Sequence, residues 1–274
     1  MAWYMGIDIG SRTSKGVITE DGEIKARHLL FSGIHYQTTA EKLKEELLAK
    51  AELSFKEVAC TIATGQGAAS VTFSDQKVTD IRCCARGINS IFPAVRTIID
   101  VGAQSSQVIR TNESGQVINF VASERCAAGS GRFLDVIANV LQIDLDDIGT
   151  LSLKAKNPIT FTTSCAVFGE SEVVSRVAEG IAIEDIVAGV HKALANKIHA
   201  LINRVGLEKD CALSGGGGLG VGLIKSLEEE LGIKLLLPPL PQFTTAFGAA
   251  VFAAEMAKIA RNQNDKSGGS YDRK

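Results

Sequence analysis

The chain has 274 residues, of which 45% are apolar, and a formal net charge of −2 at pH 7. Its length allows two domains of ordinary size or one large domain, and its apolar content suffices for proper cores. The near-neutral charge gives no electrostatic basis for binding nucleic acid. The sequence contains no uncharged apolar run of about 18 residues that would predict a membrane span. No basic and apolar leader precedes the first strand, so the six cysteines indicate a reducing compartment, the cytoplasm.

The first third of the chain predicts a strand meander followed by helices and one more strand. The first strand carries Asp8, and an Asp21-Gly22 turn separates the second strand from the third. A leucine stripe at helical spacing then predicts an amphipathic helix. In chain order the predicted elements are strands 5–10, 16–19 and 23–31, helix 39–53, strand 57–64 ending at Gly65-Gln66-Gly67, and helix 81–91.

The same strand and turn pattern begins again near residue 99. Residues 99–107 align with residues 7–15 position for position, which places Asp100 over Asp8. A Ser-Gly turn at 114–115 takes the place of the earlier Asp-Gly turn. This internal repeat predicts two similar α/β domains that face each other, against the alternative of two chance Asp-x-Gly strands.

The second half is mostly helical after residue 126. The predicted elements there are helix 183–205, strand 211–214 leading into a glycine loop at 215–220, helix 221–231, strand 234–237, a proline connector and helix 244–260. The polar composition beyond helix 244–260 predicts a disordered tail over 261–274. We therefore expect a first domain over 1–95, completed by helix 244–260, and a second domain over 96–243.

The two Asp-x-Gly turns suit the phosphates of a nucleotide. Glycine lets the backbone approach a phosphate, and successive N–H groups in such turns bind anions. Asp8 and Asp100 would hold Mg²⁺ through water, because Mg²⁺ keeps much of its hydration shell. The glycine loop fits the adenosine side of the same site, although such loops also serve as plain tight turns. The expected nucleotide contacts are Gly10, Ser11, Thr13, Ser14, Lys15, Gly102, Ala103, Ser105, Gly215, Gly216, Gly217 and Gly218.

Two cysteines each stand in a small-residue loop before a helical pattern. Cys126 lies in the segment 123–132, and Cys165 lies in the segment 163–170. The unpaired N–H groups and the positive dipole end of a helix favour a thiolate there. Two such cysteines make half of a four-thiolate site, against the alternative of two buried and inert thiols. Core packing is the expected role of the other four cysteines, which are Cys60, Cys83, Cys84 and Cys211.

These motifs together resemble the actin, sugar kinase and Hsp70 superfamily, and more closely its BadF/BadG/BcrA/BcrD-type ATPases, which include the activators of 2-hydroxyacyl-CoA dehydratases. The resemblance covers about residues 5–255. It is carried by the segments 6–11, 126–133, 164–172, 241–242 and 246–250. It implies an α/β fold of two duplicated, ribonuclease H-like domains with ATP in the cleft between them, and it adds Gln242 to the nucleotide contacts.

The resemblance also implies a homodimer in which Cys126 and Cys165 of each subunit jointly hold one [4Fe–4S] cluster. Asp8, Asp100 and Gln104 would be the catalytic residues that hydrolyse ATP to ADP with Mg²⁺. The electron donor would be a ferredoxin or flavodoxin, and the acceptor an iron–sulfur dehydratase, a benzoyl-CoA reductase component or a double-cubane protein. The alternatives are a heterodimer with a related subunit, a small-molecule kinase of the same superfamily, and a redox or metal sensor without turnover.

The second hairpin departs from the family pattern Asp-x-Gly-Gly-Gln-Asp. This chain has Ala103 and Ser105 at the fourth and sixth positions of that pattern. Ala103 removes backbone freedom, and Ser105 removes a carboxylate expected near the γ-phosphate. Both departures bear on the rate and the metal dependence of hydrolysis.

Overall fold

The structure is a computed structural model that describes residues 2–124, 129–161 and 165–268, with side chains up to residue 263. The chain divides into two units. The first unit joins Met1–Ser90 to Phe243–Lys274, and the second comprises Ile91–Gln242. Each unit is built around one sheet that contains both parallel and antiparallel strand pairs.

The sheet of the first unit has five strands: β1 (Trp3–Ile9), β2 (Thr13–Glu20), β3 (Glu23–Phe31), β4 (Val58–Thr64) and β5 (Gln76–Lys77). Their order is β3-β2-β1-β4-β5, with β1 antiparallel to β2 and parallel to β4. Asp21 and Gly22 form the β2–β3 turn with positive φ angles of 51° and 86°. The hairpin that the Asp-Gly dipeptide predicts is therefore present.

Three helices complete the first unit: α1 (Tyr36–Ala51), α2 (Asp80–Ile91) and α8 (Thr244–Gly268). Helix α1 buries Leu43 and Leu47 of the predicted stripe. Helix α8 approaches β1 closely, since a Cβ on Gly6 would lie 2.5 Å from the Ala250 backbone nitrogen. The absence of a side chain at Gly6 thus admits a helix whose buried face is made of alanines.

Helix α8 runs past Ala260 to Gly268, so residues 261–268 are helical and the prediction of disorder from residue 261 is wrong for them. Polar residues lower helix stability only slightly, in contrast to glycine and proline, so a helix can continue through a polar segment that has no buried face. Within the described residues, Pro241–Gln263 is the one helical stretch that is long and apolar enough to cross a membrane, which the sequence did not indicate. Its fully buried residues Ala246, Ala249 and Ala250 are those of a helix packed in a protein core.

The sheet of the second unit has four strands: β6 (Thr97–Val101), β7 (Ser106–Thr111), β8 (Val117–Ala122) and β9 (Cys211–Gly215). Their order is β8-β7-β6-β9, with β6 antiparallel to β7 and parallel to β9. The helices of this unit are α3 (Gly131–Leu141), α4 (Leu145–Ser152), α5 (Ala166–Ala178), α6 (Ile183–Val205) and α7 (Val221–Leu231). The bounds of α6 and α7 are the predicted ones.

The strand registers confirm the internal repeat. Asp8 lies opposite Lys15 in the first unit, and Asp100 lies opposite Gln107 in the second, as the alignment of the two segments requires. The two units therefore present the same aspartate at the same position of the same strand pair.

The predicted strand 234–237 is reduced to a single bridge between Ala212 and Leu236. Two backbone hydrogen bonds hold it, from Leu213 N to Leu236 O at 3.0 Å and from Leu236 N to Cys211 O at 2.9 Å. The ladder ends there because Pro238 and Pro239 follow directly and have no N–H to extend it.

Candidate functional site

Asp8 lies on β1 between Lys15 of β2 and Thr64 of β4. It is 8% exposed, and the Lys15 Nζ lies 3.7 Å from its Oδ2. Burial raises the pKa of the Asp8 carboxyl above its usual value, the Lys15 ammonium opposes that shift, and the charge of Asp80 adds to it. A hydrated divalent cation would relieve the cost of keeping such a carboxylate ionised. The sequence did not single out Asp80, because an acid in the first turn of a helix is common.

Asp100 occupies the matching place in the second unit, between Gln107 of β7 and Ser214 of β9. The Gln107 Nε2 donates a hydrogen bond to the Asp100 Oδ2 at 3.2 Å. The repeat therefore keeps the carboxylate and replaces the lysine ammonium beside it with a neutral amide. The two aspartates meet different electrostatic surroundings.

The hairpins after Asp8 and Asp100 differ in the side chains that they expose. Arg12 is exposed in the first hairpin and Gln104 at the matching position of the second. Ser14 is fully buried, and its Oγ forms a hydrogen bond with the Ser32 Oγ at 2.8 Å, so its hydroxyl supports the hairpin from inside the protein. The predicted hairpin contacts that are partly exposed are Gly10, Ser11, Thr13, Lys15, Gly102, Ala103 and Ser105.

Each unit has a further turn close to its aspartate, at the carboxyl end of the strand that runs parallel to the aspartate strand. Gly65 follows β4 with φ of 84°, and Gly215 ends β9 with φ of 77°. A Cβ on Gly215 would lie 2.8 Å from the Asp100 Oδ1, and one on Gly65 would collide with the Asp8 Oδ1. The segment 64–67 is thus the counterpart of 214–217, which the sequence analysis missed. The shared Gly-x-Gly after a parallel strand was the signal that could have shown it.

The glycine loop of the second unit is a turn of 3₁₀ helix over Gly216–Leu219. A Cβ on Gly218 would lie 2.7 Å from the Pro241 Cβ, whereas one on Gly216 would have open space around it. Pro241 precedes the partly exposed Gln242 and accepts a hydrogen bond from the Ser214 Oγ at 3.4 Å. The loop therefore packs against the residue before Gln242 and leaves Gly216 accessible.

Cys165 stands at the N-terminal cap of α5 and is the one partly exposed cysteine in the described part of the chain. The backbone N–H groups of Phe168 and Val167 donate to its sulfur and lower the pKa of the thiol, and the charge of Lys197 acts in the same direction. Iron binds the thiolate form, so this cysteine fits a ligand of an iron–sulfur cluster. Cys126, the other predicted ligand, lies outside the described residues.

The other cysteines pack in cores, as predicted. Burial raises the pKa of Cys60 to about 11 and those of Cys83 and Cys211 to about 12, and Cys84 is fully buried. Such thiols stay protonated and unreactive at neutral pH. Among the described residues, no three histidine, cysteine or acidic side chains come together in a way that could hold a metal ion.

Comparison with known proteins assigns the family. Residues 5–253 match the BadF/BadG/BcrA/BcrD ATPase family. The chain belongs to this family. It is 36% identical over 262 residues to the 2-hydroxyisocaproyl-CoA dehydratase activator of Clostridioides difficile. The aligned region covers 95% of this chain and 98% of that protein. It is 39% identical over 257 residues to the (R)-2-hydroxyglutaryl-CoA dehydratase activating ATPase of Acidaminococcus fermentans, which covers 93% of this chain and 98% of that protein.

Solved structures confirm the predicted fold class. The activator of the 2-hydroxyisocaproyl-CoA dehydratase from Clostridium difficile, with bound ADPNP, matches with a TM-score of 0.90 at 35% identity over 95% of this chain and 97% of that chain. A ROK family glucokinase from Streptomyces griseus matches with a TM-score of 0.58 at 12% identity over 93% of this chain and 100% of that chain, which shows the fold alone. The chain thus has the fold of the actin, Hsp70 and sugar kinase superfamily, and its family is one of ATPases.

Proposed function

We propose that the protein is an ATP-dependent activator that passes single electrons at low potential to an iron–sulfur partner of the 2-hydroxyacyl-CoA dehydratase, benzoyl-CoA reductase or double-cubane type. The observation that carries this proposal is the thiol of Cys165. It is partly exposed, and the backbone N–H groups at the start of α5 lower its pKa and so favour the thiolate, in a chain whose relatives activate dehydratases.

Cys165 and Cys126 would hold a [4Fe–4S] cluster together with the same two residues of a second copy of the chain. A cluster of this kind needs four thiolates, and the sequence of each chain offers two cysteines in small-residue loops before helical patterns. When bound, the cluster supplies a one-electron carrier. The backbone N–H groups of Phe168 and Val167 donate to the Cys165 sulfur and lower the pKa of its thiol, which favours the thiolate form that iron binds.

The nucleotide would bind at the two hairpins and at the glycine loop. Asp8 and Asp100 would hold Mg²⁺ through water, and the exposed Gln104 would act with them in hydrolysis. Ser11, Thr13 and Ser105 are the hydroxyl-bearing hairpin residues that are partly exposed and could donate to a phosphate. Lys15 would add a positive charge beside Asp8.

A second copy of the chain is the partner that we propose for the surface of α5. Val167, Val174 and Val177 form a stripe at helical spacing, and they are 68%, 56% and 47% exposed. Phe168, beside the cysteine, is 66% exposed. A homodimer would cover this apolar surface, and a cytoplasmic ferredoxin or flavodoxin would be the electron donor.

A small-molecule kinase of the same fold is the second candidate. The likeness to a glucokinase is at 12% identity, whereas the dehydratase activators are 36% and 39% identical over nearly the whole chain. These relatives favour the activator.

Anaerobic purification with iron analysis and electron paramagnetic resonance tests the proposal. We expect about four irons per dimer, and we expect Cys165→Ser to lose them. Serine is a good helix N-cap, so this variant keeps the start of α5 intact and its loss of iron would not follow from unfolding.

Cys60→Ala is the matched control, because Cys60 is a buried cysteine of the first unit. It should keep full iron content. An iron-free wild-type protein that hydrolyses ATP and activates its partner as a monomer would contradict the proposal.

A further inference from the structure

The glycine loop after β9 is packed against the protein at two positions and open at a third. A Cβ on Gly217 would lie 2.5 Å from the Val101 Cβ, and one on Gly218 would lie 2.7 Å from the Pro241 Cβ. A Cβ on Gly216, in contrast, would meet nothing within 4 Å. The loop therefore turns Gly217 and Gly218 towards the protein and leaves an open space beside the backbone of Gly216.

Leu219 lies on the same side of the loop as this open space. The residues Gly216–Leu219 form a turn of 3₁₀ helix, in which positions three apart lie above one another on one face. The Leu219 side chain is 56% exposed, and that of Val221, two residues further on, is 44% exposed. An exposed apolar side chain thus stands beside an open stretch of backbone.

The loop has a polar end and an apolar end. A Cβ on Gly215 would lie 2.8 Å from the Asp100 Oδ1, so the loop begins beside that carboxylate. Over residues 215–224 the sequence contains only glycine, leucine, valine and isoleucine. A ligand along the loop would therefore meet the carboxylate at one end, and apolar side chains and backbone groups at the other. A nucleotide, with phosphates at one end and a base at the other, matches this order.

The equivalent turn of the first unit is closed at the corresponding place. A Cβ on Gly67 would collide with Ile9, as one on Gly217 would with the matching valine, so the inward glycine is kept in both turns. The outward position differs, because the first unit has the exposed Gln66 where the second has Gly216. The repeat has thus kept the glycine that faces the protein and opened the outward position in the second unit.

We propose that Leu219 and the open space at Gly216 form the contact surface for the base of the nucleotide, and that they contact the face of the ring and not its edge. The inference rests on the proposed function, because it assumes that a nucleotide binds at the hairpins and at this loop. The faces of a base are flat and carry no hydrogen-bonding groups, so a leucine can pack against them.

Such a surface would select little between purine bases. Strong selection needs hydrogen-bonding groups that are placed against the edge of the ring, and no side chain of residues 215–224 supplies one. Gln242, which follows the proline that packs on the loop, carries an amide that can donate or accept. It therefore suits the edge of adenine and that of guanine equally.

Leu219→Ser tests the contact surface by isothermal titration calorimetry of the full-length, anaerobically purified protein with three ligands. Mg–ADPNP and its guanosine counterpart Mg–GMPPNP carry a base, whereas Mg–tripolyphosphate has the phosphates without one. We expect the dissociation constants of both nucleotides to rise by the same factor, roughly tenfold, because an apolar contact is lost. The dissociation constant of tripolyphosphate should change by less than about twofold.

Leu207→Ser is the matched control, because Leu207 is a 39% exposed leucine of the same unit that precedes β9. It should leave all three dissociation constants unchanged. Unchanged binding of ADPNP by Leu219→Ser would overturn the inference, and so would an equal loss of tripolyphosphate binding. A wild-type protein that binds ADPNP roughly a hundredfold more tightly than GMPPNP would overturn it as well.

Gly216→Gln is a second variant, which places the side chain of the first unit in the open space. The φ of Gly216 lies outside the left-handed region and its Cβ would meet nothing within 4 Å, so we expect this variant to fold. It should weaken both nucleotides by roughly tenfold and leave tripolyphosphate unchanged; unchanged nucleotide binding would overturn the inference. A wild-type protein that binds no ADPNP would instead contradict the proposed function, so the two failures are distinguishable.

Discussion

Gly65 and Gly215 occupy equivalent positions at the carboxyl ends of β4 and β9 in the two sheets. Both have positive φ, and in both a Cβ would meet the aspartate carboxylate and the backbone oxygen of the residue after it. Glycine is needed there for conformation and for space, because an L-residue is strained at such φ and its side chain would collide. Because glycine has no side chain, the turn can lie close to the aspartate in each unit.

Gly65→Ala tests this requirement, with Gly22→Ala as the matched control. Gly22 has a similar φ of 86° and nothing within 4 Å of a Cβ, whereas a Cβ on Gly65 would lie 2.7 Å from the Ile9 oxygen. We expect Gly22→Ala to lower the free energy of unfolding by about 1 kcal/mol. Gly65→Ala should lower it by roughly 3 kcal/mol, because the collision adds to the backbone strain. Urea unfolding followed by the fluorescence of Trp3, the single tryptophan, measures both; equal losses would contradict the account.

At the scale of the element, α6 carries a histidine into the core of the second unit. His191 is fully buried, and burial lowers its pKa to about 4. A Cβ on Gly222 of α7 would lie 2.9 Å from the His191 Nδ1, so the imidazole lies directly against that helix. The ring is neutral in the folded protein at physiological pH.

The buried imidazole predicts a loss of stability in acid. Because the folded pKa of about 4 lies below the ordinary value of 6.5, the unfolded chain takes up the proton first. The contribution of neutral His191 is fully present above pH 6.5 and is lost as the pH falls towards 4. Between pH 7 and pH 5 we expect a loss of about 2 kcal/mol from this residue. Helical circular dichroism during urea unfolding at each pH measures it.

His191→Leu should remove most of that dependence on pH, while the exposed His35→Leu should leave it as in the wild type. Identical pH profiles for His191→Leu and the wild type would show that the histidine is not the source.

At the scale of the whole molecule, the exposed valine stripe of α5 bears on whether the protein is a monomer or a dimer. Isolated apolar side chains on a surface are ordinary, but three exposed valines on one face of α5, with the exposed Phe168 beside the partly exposed Cys165, favour the proposed interface. A stable dimer commonly buries more than about 1,000 Å². Helix α5 would contribute its stripe to such an interface, with Cys165 at one end.

Val174→Glu should weaken the proposed dimer at least roughly tenfold, because the interface would bury an unpaired carboxylate. Analytical ultracentrifugation over a range of protein concentrations measures the dissociation constant. Ile259→Glu is the matched control, since Ile259 is a 57% exposed apolar residue on α8 in the other unit. It should leave the dimer intact. A Val174→Glu protein that dimerises as the wild type does would place the interface elsewhere.

The amino-acid sequence by itself determined the features that depend on near neighbours in the chain. The Asp21-Gly22 turn, the bounds of α6 and α7 and the alignment of 99–107 with 7–15 all follow from turn residues and short-range periodicity. The same patterns carried the resemblance to the family. The helix beyond Ala260 and the unformed strand at 234–237 were predicted wrongly, because local composition decides neither.

Tertiary structure alone decided the contacts between residues that are far apart in sequence. Asp80 affects Asp8, Gly65 matches Gly215, and Ser106 bonds to Ser123 and Gly129 only because the sheets bring these residues together. Side-chain hydrogen bonds of this kind leave no periodic signal, since any buried serine satisfies its hydroxyl with whatever the fold places beside it. The sequence could therefore predict the hairpins, but only the fold shows which segments they hold.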